Sequence, residues 1–255
     1  MIFVNDLWSL KDIPGWLEHT AAQEDGMGVA DAVFPAFLFI VGMSLPYAIS
    51  NRIKKGDSIF QLVRHVVERS IGLLVMGLFL VNGENLNAEA TGISRGVWNM
   101  LCCTGFILIW NQYPATWPKT RQNIFKGLGI AILLALAWIC RGGDEAQRFS
   151  TYWWGILGLI GWAYFASALI YALGKGKFAA VLGGWLVFSG LSIATHAHLL
   201  PRGNFLSTLL SPLDNGAMPS LVMGGTLVAM IFRSYTSAGK WKQVIPLLVG
   251  IAVVL

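Results

Sequence analysis

Residues 16–47 read WLEHTAAQEDGMGVADAVFPAFLFIVGMSLPY, and this stretch decides the fold. A polar, acidic loop carrying His19 runs into an apolar segment that begins at Gly28 or Val29. From Ala30 to Ile49 the only charged residue is Asp31, at the entrance. As a helix rising 1.5 Å per residue, the segment reaches about 30 Å, enough to cross a bilayer. A titratable imidazole is therefore expected at the mouth of a membrane helix whose first turn carries a carboxylate.

The rest of the chain extends that pattern. Of its 255 residues, 55% are hydrophobic and 12% are charged, with a mean hydropathy of +0.62. Soluble domains carry roughly 25% charged residues, so the expected fold is all-α, a polytopic transmembrane helix bundle forming a single domain over residues 1–255. Apolar runs near the length of about 20 residues needed per crossing fall at 29–50, 64–81, 97–113, 124–140, 155–173, 178–195, 215–232 and 244–255, about eight spans. Residues 1–5 read as the end of an earlier helix, and Met1–Trp8 lacks the basic n-region of a cleaved leader. Within the second span, the first part, around Arg64, His65, Glu68 and Arg69, is expected to be a helix at the interface, with the arginines reaching to head groups.

Charge tests this count. Loops after the first, third, fifth and seventh spans, with the adjoining span ends, hold thirteen of the eighteen Lys and Arg residues but only Asp57 and Glu68 among the thirteen acids. Basic loops stay cytoplasmic, so His19 is placed on the outer side. The same bias explains the net charge of +5 without a nucleic-acid partner. Trp98, Trp110 and Trp153 are expected in interfacial belts. Gly155, Gly158, Gly161 and the pairs Gly183–Gly184 and Gly224–Gly225 are expected to let helices approach closely. Cys102, Cys103 and Cys140 have no disulfide or metal-ligand spacing.

Imidazole titrates near neutral pH and can take up and return a proton, which makes His19 the leading catalytic candidate, against an ordinary loop histidine. Asp31 either caps the helix start, where the helix dipole favours a carboxylate, or serves the same site. Asn5 and Asp6, in VND, either end a helical turn or supply hydrogen bonds to the same outward pocket. Arg95 holds an anionic group or anchors at the interface. Asn215, in LDNGAMP, lines the pocket or caps the next helix. His196 and His198 are two residues apart and share no helix face, so no metal site is expected. Walker-type phosphate loops, GxSxG, HExxH and strand-linked GxGxxG are missing. That removes the sequence support for ATP-driven transport and for serine or zinc hydrolysis. The acidic outer face suits a cationic substrate such as an amino sugar.

The stretch HTAAQEDGMGVADAVFPAFLFIVGMSLP, with MIFVND ahead of it and ISRGVWNMLCCTGFILIWNQYP, WWGILGLIGWAYF and NGAMPSLVMGG beyond, resembles the transmembrane N-acetyltransferases of the heparan-alpha-glucosaminide acetyltransferase family, most closely their bacterial relatives of unassigned substrate. The resemblance runs along most of the chain. It implies that the chain is shortened at both ends relative to the family, and that it sits in a bacterial inner membrane with the His19 loop in the periplasm. It implies transfer of an acetyl group from cytosolic acetyl-CoA, the donor substrate, to a glucosamine-type amine across the bilayer, without a metal. His19 matches the family's active-site histidine, Asn5 its FVN asparagine, and Asp31 the acid of its AD pair. Gly96 and Val97 fit the family's RxPGVLQR segment, whereas Trp98, Asn99 and Met100 replace LQR.

Together these readings give a membrane acyltransferase with His19, Asn5 and Asp31 as catalytic candidates and Asp6, Arg95 and Asn215 toward the acceptor. Arg52, Lys54, Lys55, Arg64 and Arg69 are candidates for the coenzyme A phosphates. The expected partners are the lipid bilayer and an amino-sugar or related glycan acceptor, with a homo-oligomer left open. Two alternatives keep the same scaffold: a transporter or sugar-binding membrane protein without acetyl transfer, and a partner-binding scaffold.

Overall fold

The computed structural model describes residues 10, 13–21, 23–24, 26–197, 199 and 211–237. A single 3-10 turn, Gly15–Leu17, precedes α1 (Val29–Lys54), α2 (Ile59–Glu84), the one-turn α3 (Ala88–Thr91), α4 (Arg95–Trp110) and α5 (Lys119–Ile139). A two-residue antiparallel pair, β1 (Arg141–Gly142) with β2 (Gln147–Arg148), leads to α6 (Ile156–Leu173), α7 (Phe178–His196), the short α8 (Ser211–Asp214) and α9 (Ala217–Ser237). Among the described residues, α1, α2, α5, α6, α7 and α9 are long and apolar enough to cross a membrane. A helix thus underlies each of the first seven expected spans. The expected eighth, 244–255, and the stub 1–5 lie outside the described residues.

Two elements differ from the sequence expectation. The polar segment around Arg64 to Arg69 continues without a break into the second span: α2 runs over 26 residues, about 39 Å at 1.5 Å per residue, longer than the hydrocarbon core. α4 is shorter than its span, with 16 residues. Asn111 turns extended (φ −65°, ψ 146°) ahead of Pro114, and the Tyr113 hydroxyl donates to the freed Leu108 carbonyl at 2.7 Å.

The chain packs as two compact units, one made of residues up to Val66 and from Ala163 onward, the other of Val67–Trp162. In the first, α1 and α9 cross at very short range. A Cβ on Gly42 would collide with the Val222 carbonyl, and one on Gly225 with that of Phe39. Pro46 explains why the crossing also needs Thr226. Proline has no N–H to offer the carbonyl four residues back, so Gly42 loses its helical donor. In a membrane such an orphan must find another. The buried Thr226 hydroxyl lies 3.0 Å from the Gly42 carbonyl and 2.9 Å from that of Val222 in its own helix. Around the crossing, Ile49, Leu62, Tyr171, Val181, Met223 and Leu227 form one apolar cluster, with Gly184 of α7 against Met223. Gly183, expected in the same role, faces open space.

The second unit is centred on Phe79, Trp98, Cys102, Leu133, Leu136 and Cys140. Trp98 is no belt residue: it is wholly buried, and its Nε1 donates to the Phe79 carbonyl at 3.1 Å. Its place follows from α4 packing on α2, where Gly83 leaves room for the indole. Asn82 is 3% exposed and holds the chain ahead of α6 by giving Nδ2–H to the Ser150 carbonyl (2.9 Å) and accepting from its N–H (3.1 Å). The expected close approaches are seen for Gly158, which meets Gly77 of α2, and for Gly161, which meets Leu74.

Candidate functional site

The start of α1 is built by one carboxylate. Gly28 is the N-cap residue, and a side chain there would run into the Glu18 carbonyl. Glycine therefore lets the preceding loop fold back over the helix start and brings His19 within reach. Asp31, three residues into the helix, returns its Oδ2 to the Gly28 N–H at 3.0 Å. This is the acidic half of a capping box; glycine has no side chain to reciprocate. The same oxygen accepts from the Thr20 N–H at 3.0 Å. Its other oxygen, Oδ1, is 2.6 Å from His19 Nδ1.

An ionised carboxylate can only accept hydrogen bonds, so His19 Nδ1 carries the proton. The second ring nitrogen, Nε2, is then the one available for chemistry, and no described residue bonds it. The His19 side chain is 52% exposed and that of Asp31 29%, so the pair is open on the imidazole side and anchored on the carboxylate side. A carboxylate that fixes an imidazole in one tautomer and steadies its charged form is the orienting arrangement used in general-base and nucleophilic catalysis.

The other sequence candidates fall in several places. Asn5 and Asp6 lie outside the described residues. Asn215 Oδ1 accepts from Ala217 N–H at 3.1 Å, a local turn into α9. Arg95 is exposed in the first turn of α4, within the second unit. His196 Nδ1 is 3.0 Å from the Ser192 carbonyl in its own helix, and His198 lies outside the described residues. Lys54 and Lys55 are exposed at the far end of α1, while Arg64 and Arg69 are exposed along α2. Arg52 is not held for a ligand alone: Nη1 donates to Asp57 Oδ2 at 2.8 Å and Nη2 to His65 Nδ1 at 3.0 Å. Sequence reasoning missed that cluster and the Thr20 amide. The only signal for the first was an acid five residues beyond Arg52, across a glycine turn. Among the described residues, no group of three or more His, Cys, Asp or Glu side chains converges as a metal site.

Among the described residues, six apolar helices of spanning length, with a polar pair at the mouth of one of them, define an integral membrane protein. The chain belongs to the family described as domain of unknown function (DUF5009), whose profile matches residues 10–198. It is similar to heparan-alpha-glucosaminide N-acetyltransferase of Homo sapiens, 38% identical over 86 residues, which cover 32% of this chain and 12% of that protein. The protein of the same name in Mus musculus is 38% identical over 58 residues, 23% of this chain and 9% of that protein. The chain thus spans only about a tenth of the length of the curated relatives it matches. No solved structure matches it.

Proposed function

We propose that the chain works as one membrane acyltransferase domain, with His19 as the group that handles the transferred proton or acyl group and Asp31 as its positioning partner. The observation that carries this reading is the 2.6 Å contact between His19 Nδ1 and Asp31 Oδ1, with two backbone N–H groups holding the opposite oxygen. Similarity to a heparan-alpha-glucosaminide N-acetyltransferase supports the reaction class; acetyl-CoA would be the donor and an amino sugar or related glycan the acceptor.

In the direct route, the acceptor amine attacks the thioester carbonyl and its proton passes to Nε2. The C–N bond forms, the C–S bond breaks, and the leaving thiolate takes the proton back from Nε2. In the two-step route, Nε2 itself attacks the thioester and the thiolate leaves; the amine then takes the acetyl group from Nε2, and the proton it gives up goes to the thiolate. Both routes place positive charge on the ring, which the Asp31 carboxylate steadies. Asn5 would give a hydrogen bond to the developing oxyanion, and Asp6, Arg95 and Asn215 would contact the acceptor. The exposed Lys54, Lys55, Arg64 and Arg69, with Arg52, would hold the coenzyme A phosphates on the cytoplasmic side. The His19 loop would then face the periplasm of a bacterial inner membrane.

Acetyl transfer from labelled acetyl-CoA to glucosamine, measured in membranes with wild type and His19→Ala, tests the reading. Loss of a positioned general base costs about 10²–10⁴-fold in turnover. Equal turnover in the two would remove His19 from the reaction.

A further inference from the structure

At the end of α1 opposite Asp31, the first unit holds a second polar feature, a cleft of about 360 Å³. Pro46 and Ser50 of α1, Tyr171 of α6, Lys175 of the following turn, and Arg233 and Ser234 of α9 line it. Two cations and three hydroxyl-bearing side chains thus line one cavity, with Pro46, Ile53, Gly176 and Met230 making up the rest of its wall. Arg233 is aimed there by the α1–α9 crossing: its Nη1 donates to Ser50 Oγ at 2.6 Å and lies 3.4 Å from the Pro46 carbonyl. Among the described residues no carboxylate forms an ion pair with Lys175.

The backbone adds an independent observation. The turn after α6 reads Gly174-Lys175-Gly176-Lys177, and the Gly176 N–H reaches back to the Tyr171 carbonyl at 2.9 Å, closing the helix end. Lys175 occupies the left-handed region there, with φ +50°. That position favours glycine, yet a lysine is used, with glycine on either side. A lysine kept in a strained position beside a cleft holding an arginine points to a role for its charge.

We propose that this cleft binds a phosphate group, either the headgroup of an anionic phospholipid or a soluble phosphate, through Arg233 and Lys175 with hydroxyl support from Ser50 and Ser234. The proposal does not depend on acyl transfer. Its test uses the full chain, purified in neutral detergent or placed in phosphatidylcholine nanodiscs with or without one-fifth phosphatidylglycerol. Retained lipid is read by native mass spectrometry, and thermal stabilisation is read with inorganic phosphate against chloride at equal ionic strength.

Wild type is expected to retain phosphatidylglycerol over phosphatidylcholine, or to be stabilised by phosphate beyond chloride. The first result identifies a lipid headgroup as the source and the second a soluble anion. Charge-assisted hydrogen bonds of this kind change affinity on the order of ten- to a hundredfold, so Arg233→Gln and Lys175→Gly should each weaken binding by that factor and Lys175→Arg should retain it. Lys175→Gly also relieves the left-handed strain, so without ligand it should melt no lower than wild type. Its loss of binding therefore cannot come from misfolding. Undiminished binding of both probes by Lys175→Gly, or no preference for either probe in wild type, overturns the proposal.

Discussion

Replacing Asp31 by Asn tests the proposed chemistry more sharply than removing the histidine. The two carboxylate oxygens of Asp31 face three donors, with Thr20 N–H and Gly28 N–H on Oδ2 at 3.0 Å and His19 Nδ1–H on Oδ1 at 2.6 Å. Asparagine keeps one acceptor oxygen and gains two N–H donors. Turning the amide so that its oxygen meets the two backbone amides preserves the helix cap but points NH₂ at His19. The imidazole must then accept through Nδ1, and its proton moves to Nε2, the atom that faces outward. A ring in that tautomer cannot take a proton from an acceptor amine. The same substitution in serine proteases costs about 10⁴-fold through the wrong tautomer, and positioned acid–base catalysis as a whole is worth about 10²–10⁴. We therefore expect Asp31→Asn to lower turnover of acetyl-CoA with glucosamine by about 10²–10⁴-fold while expression and helix content stay near wild type. ¹⁵N shifts of the His19 ring should move the protonated nitrogen from Nδ1 to Nε2. Wild-type turnover in a correctly folded Asp31→Asn protein would refute the assignment. So would a ring that keeps its Nδ1 proton.

Thr226→Val removes the donor that replaces the missing Pro46 N–H at Gly42 and should cost about 1–3 kcal/mol; Thr226→Ser should restore most of it, as read by melting in detergent. Trp98→Phe empties part of the second unit's core and deletes the bond to Phe79, for a loss of about 1–3 kcal/mol. A chevron or melting curve equal to wild type would contradict the buried placement. Lys54→Gln with Lys55→Gln should raise KM for acetyl-CoA with kcat little changed, since these exposed cations are proposed to bind phosphate and take no part in bond making; an unchanged KM excludes them.

The spanning helices were legible because bilayer thickness imposes a length and composition that sequence displays directly. The proximity of His19 to Asp31 was also within reach. Asp31 falls in the first helical turn, where a carboxylate turns back toward the preceding loop, and that loop holds His19. Trp98 misled because position near a span end is the whole signal for a belt residue, whereas its burial depends on Gly83 in another helix. The Pro46–Thr226 relation was hidden for a similar reason. Proline announces that a carbonyl has lost its donor but says nothing of which residue, 180 positions away in the chain, provides another. The strained Lys175 left no mark beyond a Gly-Lys-Gly-Lys turn that reads equally well with either glycine in the left-handed position.

One helix connects most of these observations. Asp31 at the start of α1 and Arg52 near its end are separated by 21 residues, about 32 Å at helical rise, close to a full hydrocarbon thickness. A donor whose phosphates rested at Arg52 would have to carry its thioester across nearly that whole distance to meet His19. Arg52 is moreover engaged by Asp57 and His65, so releasing it for a ligand would cost both bonds. If the exposed Lys54 and Lys55 hold the phosphates as proposed, the thioester arm therefore has to extend from them into the bundle toward His19. Between the two ends, α1 carries Gly42 and Pro46, where the backbone of α9 approaches most closely and the helical hydrogen-bond ladder is interrupted. At that interruption the Thr226 hydroxyl, 3.0 Å from the Gly42 carbonyl, takes the place of the missing Pro46 N–H and ties α9 to the middle of α1.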